Sequence, residues 1–195
     1  MTIETQKRTG TCLLTDITDW TKKSAVIAGG AIRDWELGYS AVDLDLYMQS
    51  DPTVSNARFK HFLQWMLEDH GYYITDDVKQ IDTDGVEGAE YCLYSGSDIQ
   101  GVFEVTLDVG PIYQRVQFIR LLGNPEEVMQ TFPMSTSQGM MLRDGSILHT
   151  QKFSESMQKK VAWFNPDQLS MRYMSKMMRK PSLAGFVFAP KGREL

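Results

Sequence analysis

The sequence predicts a domain that mixes helices and strands, and three features carry this prediction. Residues 41–48 alternate strictly between apolar and polar side chains, as a half-buried strand does. Residues 56–71 place apolar side chains at the i, i+3, i+4, i+7 spacing of an amphipathic helix. Residues 102–108 and 115–122 are rich in strand-forming residues and flank a Gly-Pro turn. A chain of 195 residues has room for one such core, or for one core with a helical tail.

Further elements of the first half follow from local signals. Residues 24–30 form a short apolar run that ends in two glycines, which indicates a buried strand that stops at a sharp turn. Residues 31–38 suit a short helix that ends at Gly38. Residues 76–90 are acidic and contain two glycines, so we expect an exposed loop there, followed by a strand at residues 90–94.

Two Asn-Pro pairs predict helix starts in the second half. Asparagine caps a helix well and proline fits the first helical position, so helices are expected to begin at Asn124-Pro125 and at Asn165-Pro166. The second of these helices would end at Pro181 and would place its methionines against the rest of the protein.

Composition excludes several classes of protein. With 42% hydrophobic, 11% aromatic and 23% charged residues, the chain is able to bury a core and is not expected to be disordered. The apolar runs fall far short of the roughly 20 residues needed to span a bilayer, and the N-terminus shows no secretory signal. We therefore expect a cytoplasmic protein without a membrane partner.

Charge is distributed unevenly along the chain. Residues 1–151 carry 11 Lys or Arg against 22 Asp or Glu, whereas residues 152–195 carry 9 against 3. We predict a catalytic core at residues 1–150 and a basic, helical C-terminal extension at residues 151–195 that packs on it. The basic residues either form a solvated helix surface or lie beside the acidic core, as a phosphate-handling protein requires.

The residues with the clearest chemistry lie between Gly29 and Asp45. Asp43 and Asp45 are two residues apart on one predicted strand, so their carboxylates project to the same side and could share a divalent cation. A Gly29-Gly30 turn at a helix start lets backbone N–H groups approach a triphosphate. Arg33 could contact a phosphate, or it could hold the neighbouring Asp34 and the sheet.

The segment GGAIRDWELGYSAVDLD resembles the signature of the polymerase-beta-like nucleotidyltransferase superfamily, in particular its branch of bacterial-type CCA-adding enzymes and poly(A) polymerases. That signature runs from a strand through GGxxRDxxLG to DxD on the next strand. The resemblance implies an α+β fold with a mixed or antiparallel sheet, flanking helices and C-terminal helices. It also implies Mg²⁺ or Mn²⁺ on Asp43 and Asp45, and an NTP held by Gly29, Gly30 and Arg33.

A looser similarity covers the second half and is typical of small, stand-alone, phage or viral members. These relatives have a strand and a PEEV-like helix before a Phe-Asp segment, where this chain has Phe132-Pro133 and so lacks the usual acid. Arg172 and Lys176, with the later Gly185-Phe186, are similar to the C-terminal helix of such relatives. The resemblance therefore implies that Arg172 and Lys176 help to bind the nucleotide.

The superfamily normally has a third carboxylate on a strand beside the DxD strand. Glu104 is the first candidate for this catalytic and metal-binding position, and Asp108 shares its strand face. If residues 115–122 form the equivalent strand instead, the position falls on Gln117 and the site lacks one acid.

The expected activity is transfer of an NMP from an NTP to an acceptor hydroxyl with release of pyrophosphate. An RNA 3′ end, such as that of a tRNA, is the favoured acceptor. No large helical body follows the core in these residues, which makes CCA addition by this chain alone less favoured. A protein or small-molecule acceptor, a catalytically idle nucleotide- or RNA-binding module, and a phage structural protein are the alternatives. A monomer or a small homo-oligomer is expected.

Overall fold

The computed structural model describes residues 1–81, 99–110 and 113–192. The predicted strand at residues 90–94 and most of the predicted acidic loop lie outside these ranges. The described strands are β1 (Ala25–Ala28), β2 (Asp43–Gln49), β3 (Tyr73–Ile74), β4 (Lys79–Ile81), β5 (Ile99–Asp108), β6 (Tyr113–Leu121), β7 (Gly139–Met141), β8 (Ile147–His149), β9 (Val161–Phe164) and β10 (Val187–Pro190).

Six α-helices lie in the described parts of the chain: α1 (Ile3–Thr21), α2 (Gly30–Glu36), α3 (Asn56–Asp69), α4 (Val128–Thr131), α5 (Gln151–Lys159) and α6 (Met171–Met178). The helices predicted at residues 31–38 and 56–71 are confirmed within two residues at each end. None of these helices combines the length and the apolar character that a membrane-spanning segment needs.

The main sheet has eight strands in the order β3-β5-β6-β2-β1-β7-β8, with β4 also paired to β5. Its pairs are antiparallel except for β2 and β6, which run parallel. The fold is therefore α+β with a mixed, mostly antiparallel sheet, as expected. The parallel pair matters for the site because it places Arg115 opposite Asp43 and Gln117 opposite Asp45.

The two faces of the sheet are covered differently. One face packs under α1, α2 and α3 and forms the larger core, to which β2 contributes Leu44 and Leu46. The other face carries a smaller core that includes Tyr47 and residues from β6 and α4. Because side chains alternate along a strand, Asp43 and Asp45 lie on the same face of β2 as Tyr47, and Leu44 and Leu46 lie on the other face.

The N-terminal helix α1 is an element that our sequence analysis does not predict. The Thr2 side chain caps it by accepting a hydrogen bond from the Thr5 N–H, and Leu13, Leu14 and Ile17 are fully buried against the sheet. The amide of Gln6 is buried, accepts hydrogen bonds from the Trp35 indole and the Ala41 N–H, and donates to the Ala41 carbonyl. The helical spacing of the apolar residues Leu13, Leu14 and Ile17 is the sequence signal from which α1 could have been predicted.

The helix predicted to begin at Asn165-Pro166 begins later. Asn165 caps only a 3₁₀ turn over Pro166–Gln168, and its amide donates to the Gln168 side chain, which closes the turn on itself. Ser170 then caps α6 by accepting a hydrogen bond from the Tyr173 N–H. The Asn124-Pro125 start is confirmed, with a 3₁₀ turn that leads into α4.

The segment after residue 150 contains a parallel strand pair, β9 with β10, besides helices α5 and α6. A third cluster of buried residues, which includes Met174, Met177 and Leu183, forms the core of this segment. The prediction that the methionines pack is correct for Met174 and Met177 and wrong for Met171 and Met178, which are 84% and 57% exposed. The boundary between a core and an extension at residue 150 stays a prediction.

Candidate functional site

A cleft of about 100 Å³ lies at the beginning of β2 and brings together acidic and basic side chains. Asp43 and Asp45 line this cleft together with Lys176 from α6 and Lys180 from the residues that follow it, and both lysines are close enough to act on the charge of Asp45. The lining residues come from four separate parts of the chain: Gly30, Arg33, Asp43, Asp45, Tyr47, Gln117, Tyr173, Lys176, Met177 and Lys180. The structure thus places five of the predicted site residues, Gly30, Arg33, Asp43, Asp45 and Lys176, in one cleft.

The two glycines play different structural roles. Gly29 has φ +88°, a conformation that side chains disfavour, and its N–H donates to the Gly139 carbonyl at 3.0 Å. A Cβ on Gly29 would lie 3.6 Å from the Phe132 ring and 3.9 Å from an oxygen of Asp45. Gly29 therefore shapes the turn next to the acids, whereas Gly30 is the glycine that lines the cleft.

Arg33 lies under the cleft and is only 1% exposed. Its Nε donates to Asp34 Oδ1 at 2.8 Å, and its Nη2 lies 2.8 Å from the same oxygen. Ser182 donates a hydrogen bond of 2.6 Å to that oxygen as well. Of the two roles expected for Arg33, this geometry favours holding Asp34, and with it the C-terminal segment; a phosphate contact stays a prediction.

Asp45 is held in an environment that disfavours its charge. Burial raises the pKa of Asp45 to about 8, with a further increase from the charge of Asp43. Lys176, Lys180 and Arg115 act in the opposite direction. A cation or additional positive charge near Asp45 is therefore expected to favour its ionised form.

Replacing Asp45 with asparagine is expected to stabilise the metal-free protein increasingly as the pH rises from about 4 to about 8. The unfolded carboxyl ionises near pH 3.9 and the folded one near pH 8, so the folded parent binds the extra proton in this interval and loses stability as the pH increases. Asparagine does not titrate, so the variant lacks this loss of stability, which amounts to up to about 1.4 kcal/mol per pH unit. Urea unfolding in EDTA at several pH values in this interval measures the free energy of unfolding of both proteins. A difference between the two proteins that does not change with pH would contradict the prediction.

The strand next to β2 does not carry the expected third carboxylate. Gln117 on β6 lies opposite Asp45, and Glu104 on β5 lies opposite Gln117, so Glu104 is two strands, or about 10 Å, from Asp45. The expectation that Glu104 lies beside the DxD strand is therefore wrong, because β6 is inserted between β5 and β2. Asp108 lies roughly 13 Å further along β5 from Glu104.

Hydrogen bonds connect Glu104 to the acids through β6. The Gln117 amide donates to Glu104 at 2.8 Å, and the Arg115 guanidinium donates to Asp43 at 2.7 Å while its Nε lies 3.7 Å from Glu104. Glu104 thus acts on Arg115 and Gln117 in this structure, and direct metal binding by Glu104 stays a prediction.

The donor set of the cleft fits a cation that brings further ligands of its own. Within residues 1–81, 99–110 and 113–192, no three His, Cys, Asp or Glu side chains are grouped as a metal site would require. Magnesium is commonly held by one or two carboxylates together with substrate phosphates. Asp43 and Asp45 would supply the two carboxylates of such a site, and substrate phosphates would have to supply the remaining ligands.

The sequence predicts only some of the basic and aromatic residues that line the site. Arg172 is exposed and does not line the cleft, whereas Lys180 and Tyr173 do. Tyr173 also lines an adjoining small cavity with Phe132 and Pro133. Lys180 follows Lys176 by four positions in the sequence, and this spacing of basic residues is the signal that could have predicted it, although α6 itself ends at Met178.

Solved structures with the same fold include CCA-adding enzymes. The Bacillus stearothermophilus CCA-adding enzyme in complex with CTP matches 92% of this chain at 16% identity, with a TM-score of 0.53. A tRNA-processing enzyme with CTP matches 89% at 14% identity (TM-score 0.52), and the Thermotoga maritima CCA-adding enzyme complexed with tRNA matches 77% at 12% identity (TM-score 0.51). No protein-family model matches the sequence, and no curated protein matches it significantly.

These matches concern only part of the solved enzymes. The chain spans 40%, 42% and 30% of the length of the three structures, respectively. At identities this low, the similarity establishes the fold and leaves the chemistry to the site residues. The chain has the fold of the part of these CCA-adding enzymes that it covers.

Proposed function

We propose that this protein is a nucleotidyltransferase that moves an NMP from an NTP to an acceptor hydroxyl and releases pyrophosphate. The observation that carries the proposal is the cleft that Asp43 and Asp45 line together with Lys176 and Lys180. Carboxylates and ammonium groups in one cleft suit a magnesium triphosphate, since the acids attract the cation and the lysines attract the phosphates.

The acidic and the basic residues of the cleft would have different roles. Asp43 and Asp45 would hold Mg²⁺ or Mn²⁺, which when bound supplies neutralisation of phosphate charge and activation of the attacking oxygen. Lys176 and Lys180 would neutralise the phosphates that become pyrophosphate, and Gly30 leaves space for them because it has no side chain. Arg115 fixes the orientation of Asp43 through the 2.7 Å ion pair.

The favoured acceptor is an RNA 3′ end, and a tRNA is the first RNA to test. The support is the shared fold, since one of the matching structures is a CCA-adding enzyme complexed with tRNA. Arg172 and Arg179 are exposed on the same helix as Lys176 and extend the positive surface beyond the cleft, where an RNA backbone would be attracted. A protein or small-molecule acceptor would also reach the same cleft.

The test is incubation of the purified protein with Mg²⁺ or Mn²⁺, each labelled NTP, and either total RNA or a cell lysate. Label in RNA supports the RNA acceptor, and label in protein or in a small molecule supports the transferase with another acceptor. Absence of any labelled product with every NTP and both cations would contradict the proposed transferase activity.

A catalytically idle nucleotide-binding module is the second candidate, and one observation favours it. Gln117 occupies the position opposite Asp45 where the superfamily resemblance implies an acid. Such a module would bind an NTP with Mg²⁺ in calorimetry while no label is transferred under any of the conditions above.

Replacing Lys176 with glutamine is expected to raise the KM for the NTP about tenfold, because one charge-assisted phosphate contact is worth at least about 1.5 kcal/mol. Arg179→Gln is the matched control, since Arg179 is exposed on the same helix end and does not line the cleft. Equal KM values for the two variants would remove Lys176 from the proposed phosphate site.

A further inference from the structure

A second cavity, of about 190 Å³, lies at the opposite end of β2 from the acids. It forms where the end of α1, the end of β2, the first half of α3 and Arg120 of β6 meet. Ser50, one of its lining residues, follows Asp45 by five positions, which corresponds to roughly 17 Å along an extended chain. None of its lining residues belongs to the cleft that carries Asp43 and Asp45.

Aromatic side chains form one wall of this cavity. The rings of Trp20 and Phe62 pack with a centroid distance of 4.4 Å, and Phe62 remains 36% exposed. The buried ring of Phe59 lies under the Arg120 guanidinium at 4.7 Å. Flat apolar surface beside a cation is the environment that an aromatic ring with an acidic substituent requires.

Arg120 is the unusual residue of this cavity because its charge is buried without a close carboxylate. It is 2% exposed, and its guanidinium donates to the Asn56 side chain at 2.6 Å and to the Asp51 and Val54 carbonyls at 3.0 and 2.8 Å. Within the described residues, no carboxylate oxygen lies within the 4.0 Å of an ion pair, and the Nε atom has no hydrogen-bond partner.

The nearest acid does not compensate for this charge directly. The Asp51 carboxylate accepts hydrogen bonds from the N–H and the hydroxyl of Thr53, at 2.9 and 2.7 Å. Burial lowers the pKa of Arg120, and the charge of Asp51 only partly opposes this effect. A buried cation whose partners are neutral favours the arrival of an anion.

Two further groups, Ser50 and Lys23, bear on the preference of this cavity for an anion. Ser50 is 6% exposed, and its hydroxyl has no hydrogen-bond partner among the residues that the structure describes. The partly buried Lys23 brings a second positive charge to the cavity lining, which also contains Asp51, so that the three charged residues Lys23, Arg120 and Asp51 leave one net positive charge. Buried hydroxyls normally have partners, so the enclosed Ser50 hydroxyl would gain one if a ligand group reached it.

We propose that this cavity binds a small aromatic molecule that carries a carboxylate or a phosphate. The ring would lie against Trp20 and Phe62, and the anionic group would lie near Lys23, Arg120 and Ser50. A cavity of about 150 Å³ accepts a benzene ring, so the present cavity has room for one or two fused rings with one acidic group. This site is separate from the proposed transferase cleft and does not depend on its activity.

Calorimetry with three probes tests the proposal: indole-3-carboxylate, the uncharged indole-3-carboxamide of the same shape, and phenyl phosphate. We expect the carboxylate to bind with a Kd of about 0.1–1 mM, as a ligand of this size allows, and at least tenfold more tightly than the carboxamide. Binding should be unaffected by saturating Mg²⁺ and ATP, because the two sites share no lining residues. Binding of phenyl phosphate that persists in the presence of Mg²⁺ and ATP, without carboxylate binding, supports the phosphate-bearing form of the ligand.

Variants at the rim keep the test independent of the buried Arg120, whose replacement would unfold the loop that it holds. Lys23→Gln and Phe62→Ala should each weaken binding of the preferred probe about fivefold or more, whereas Lys22→Gln, an exposed neighbour outside the cavity, should leave it unchanged. Measurable binding of the carboxylate and the carboxamide with equal affinity, competition by ATP, the same effect in Lys22→Gln as in Lys23→Gln, or no binding of any probe would each overturn the proposal.

Discussion

Replacing Asp45 with asparagine is expected to reduce nucleotide transfer about 100- to 1000-fold while the protein remains folded. Asp45 lines both the main cleft and the adjoining aromatic cavity, so it faces the point where the phosphates and the nucleoside would meet. Asparagine keeps the shape of the side chain and removes the charge that would hold the cation. Loss of one group that stabilises charge in a transition state typically has an effect of this size.

The Asp69→Asn variant is the matched control, because Asp69 is exposed at the end of α3 and lies outside the cleft. Initial rates of label transfer with saturating NTP should be those of the parent protein in this control. Full activity in Asp45→Asn, with the parent protein active, would show that transfer occurs elsewhere and would refute the proposed site. An increase in stability of Asp45→Asn near pH 8 would show that lost activity is not lost folding.

The part of the site that could be predicted is the part that is local in sequence. Gly29, Gly30 and Asp45 belong to one strand-turn-helix-strand unit, and the alternation of residues 41–48 determines which side chains share a face. Strand β1 and helix α2 are short and continuous, so a single stretch of sequence contains the information for their relative positions.

The remaining site residues depend on contacts between distant parts of the chain. The alternation in β5 shows that Glu104 lies on one face, but it does not show that β6 separates β5 from β2. Only the parallel register between β2 and β6 places Gln117 beside Asp45 and Arg115 beside Asp43. No periodicity in either strand specifies its neighbour, because strand pairing is set by tertiary packing.

The contacts of the C-terminal segment also join parts of the chain that are distant in sequence. The four-residue spacing of Lys176 and Lys180 predicts that both lie on one side of the segment, but only the packing of that segment on the core brings them to Asp45, and Lys180 lies beyond the end of α6. The hydrogen bond from Ser182 to Asp34 joins residues 148 positions apart and has no local signature.

Replacing Arg33 with alanine is expected to destabilise the protein by about 3–5 kcal/mol. Arg33 and Asp34 form a buried ion pair with side chains 1% and 6% exposed, so removal of the guanidinium leaves an uncompensated buried carboxylate. The loss should extend to the C-terminal segment, since the same Asp34 oxygen accepts the Ser182 hydrogen bond. Urea unfolding, followed by circular dichroism, measures the change in the free energy of unfolding.

Two further variants separate the ion pair from the attachment of the C-terminal segment. Ser182→Ala should cost about 1.5–3 kcal/mol, as a single hydrogen bond to a charged group is worth, and should leave the Arg33–Asp34 pair in place. Arg58→Ala, an exposed arginine on α3, should change stability by less than about 0.5 kcal/mol. If Arg33→Ala is as stable as Arg58→Ala, Arg33 does not hold Asp34 in solution, and its guanidinium is then available for the phosphate contact that the sequence motif implies.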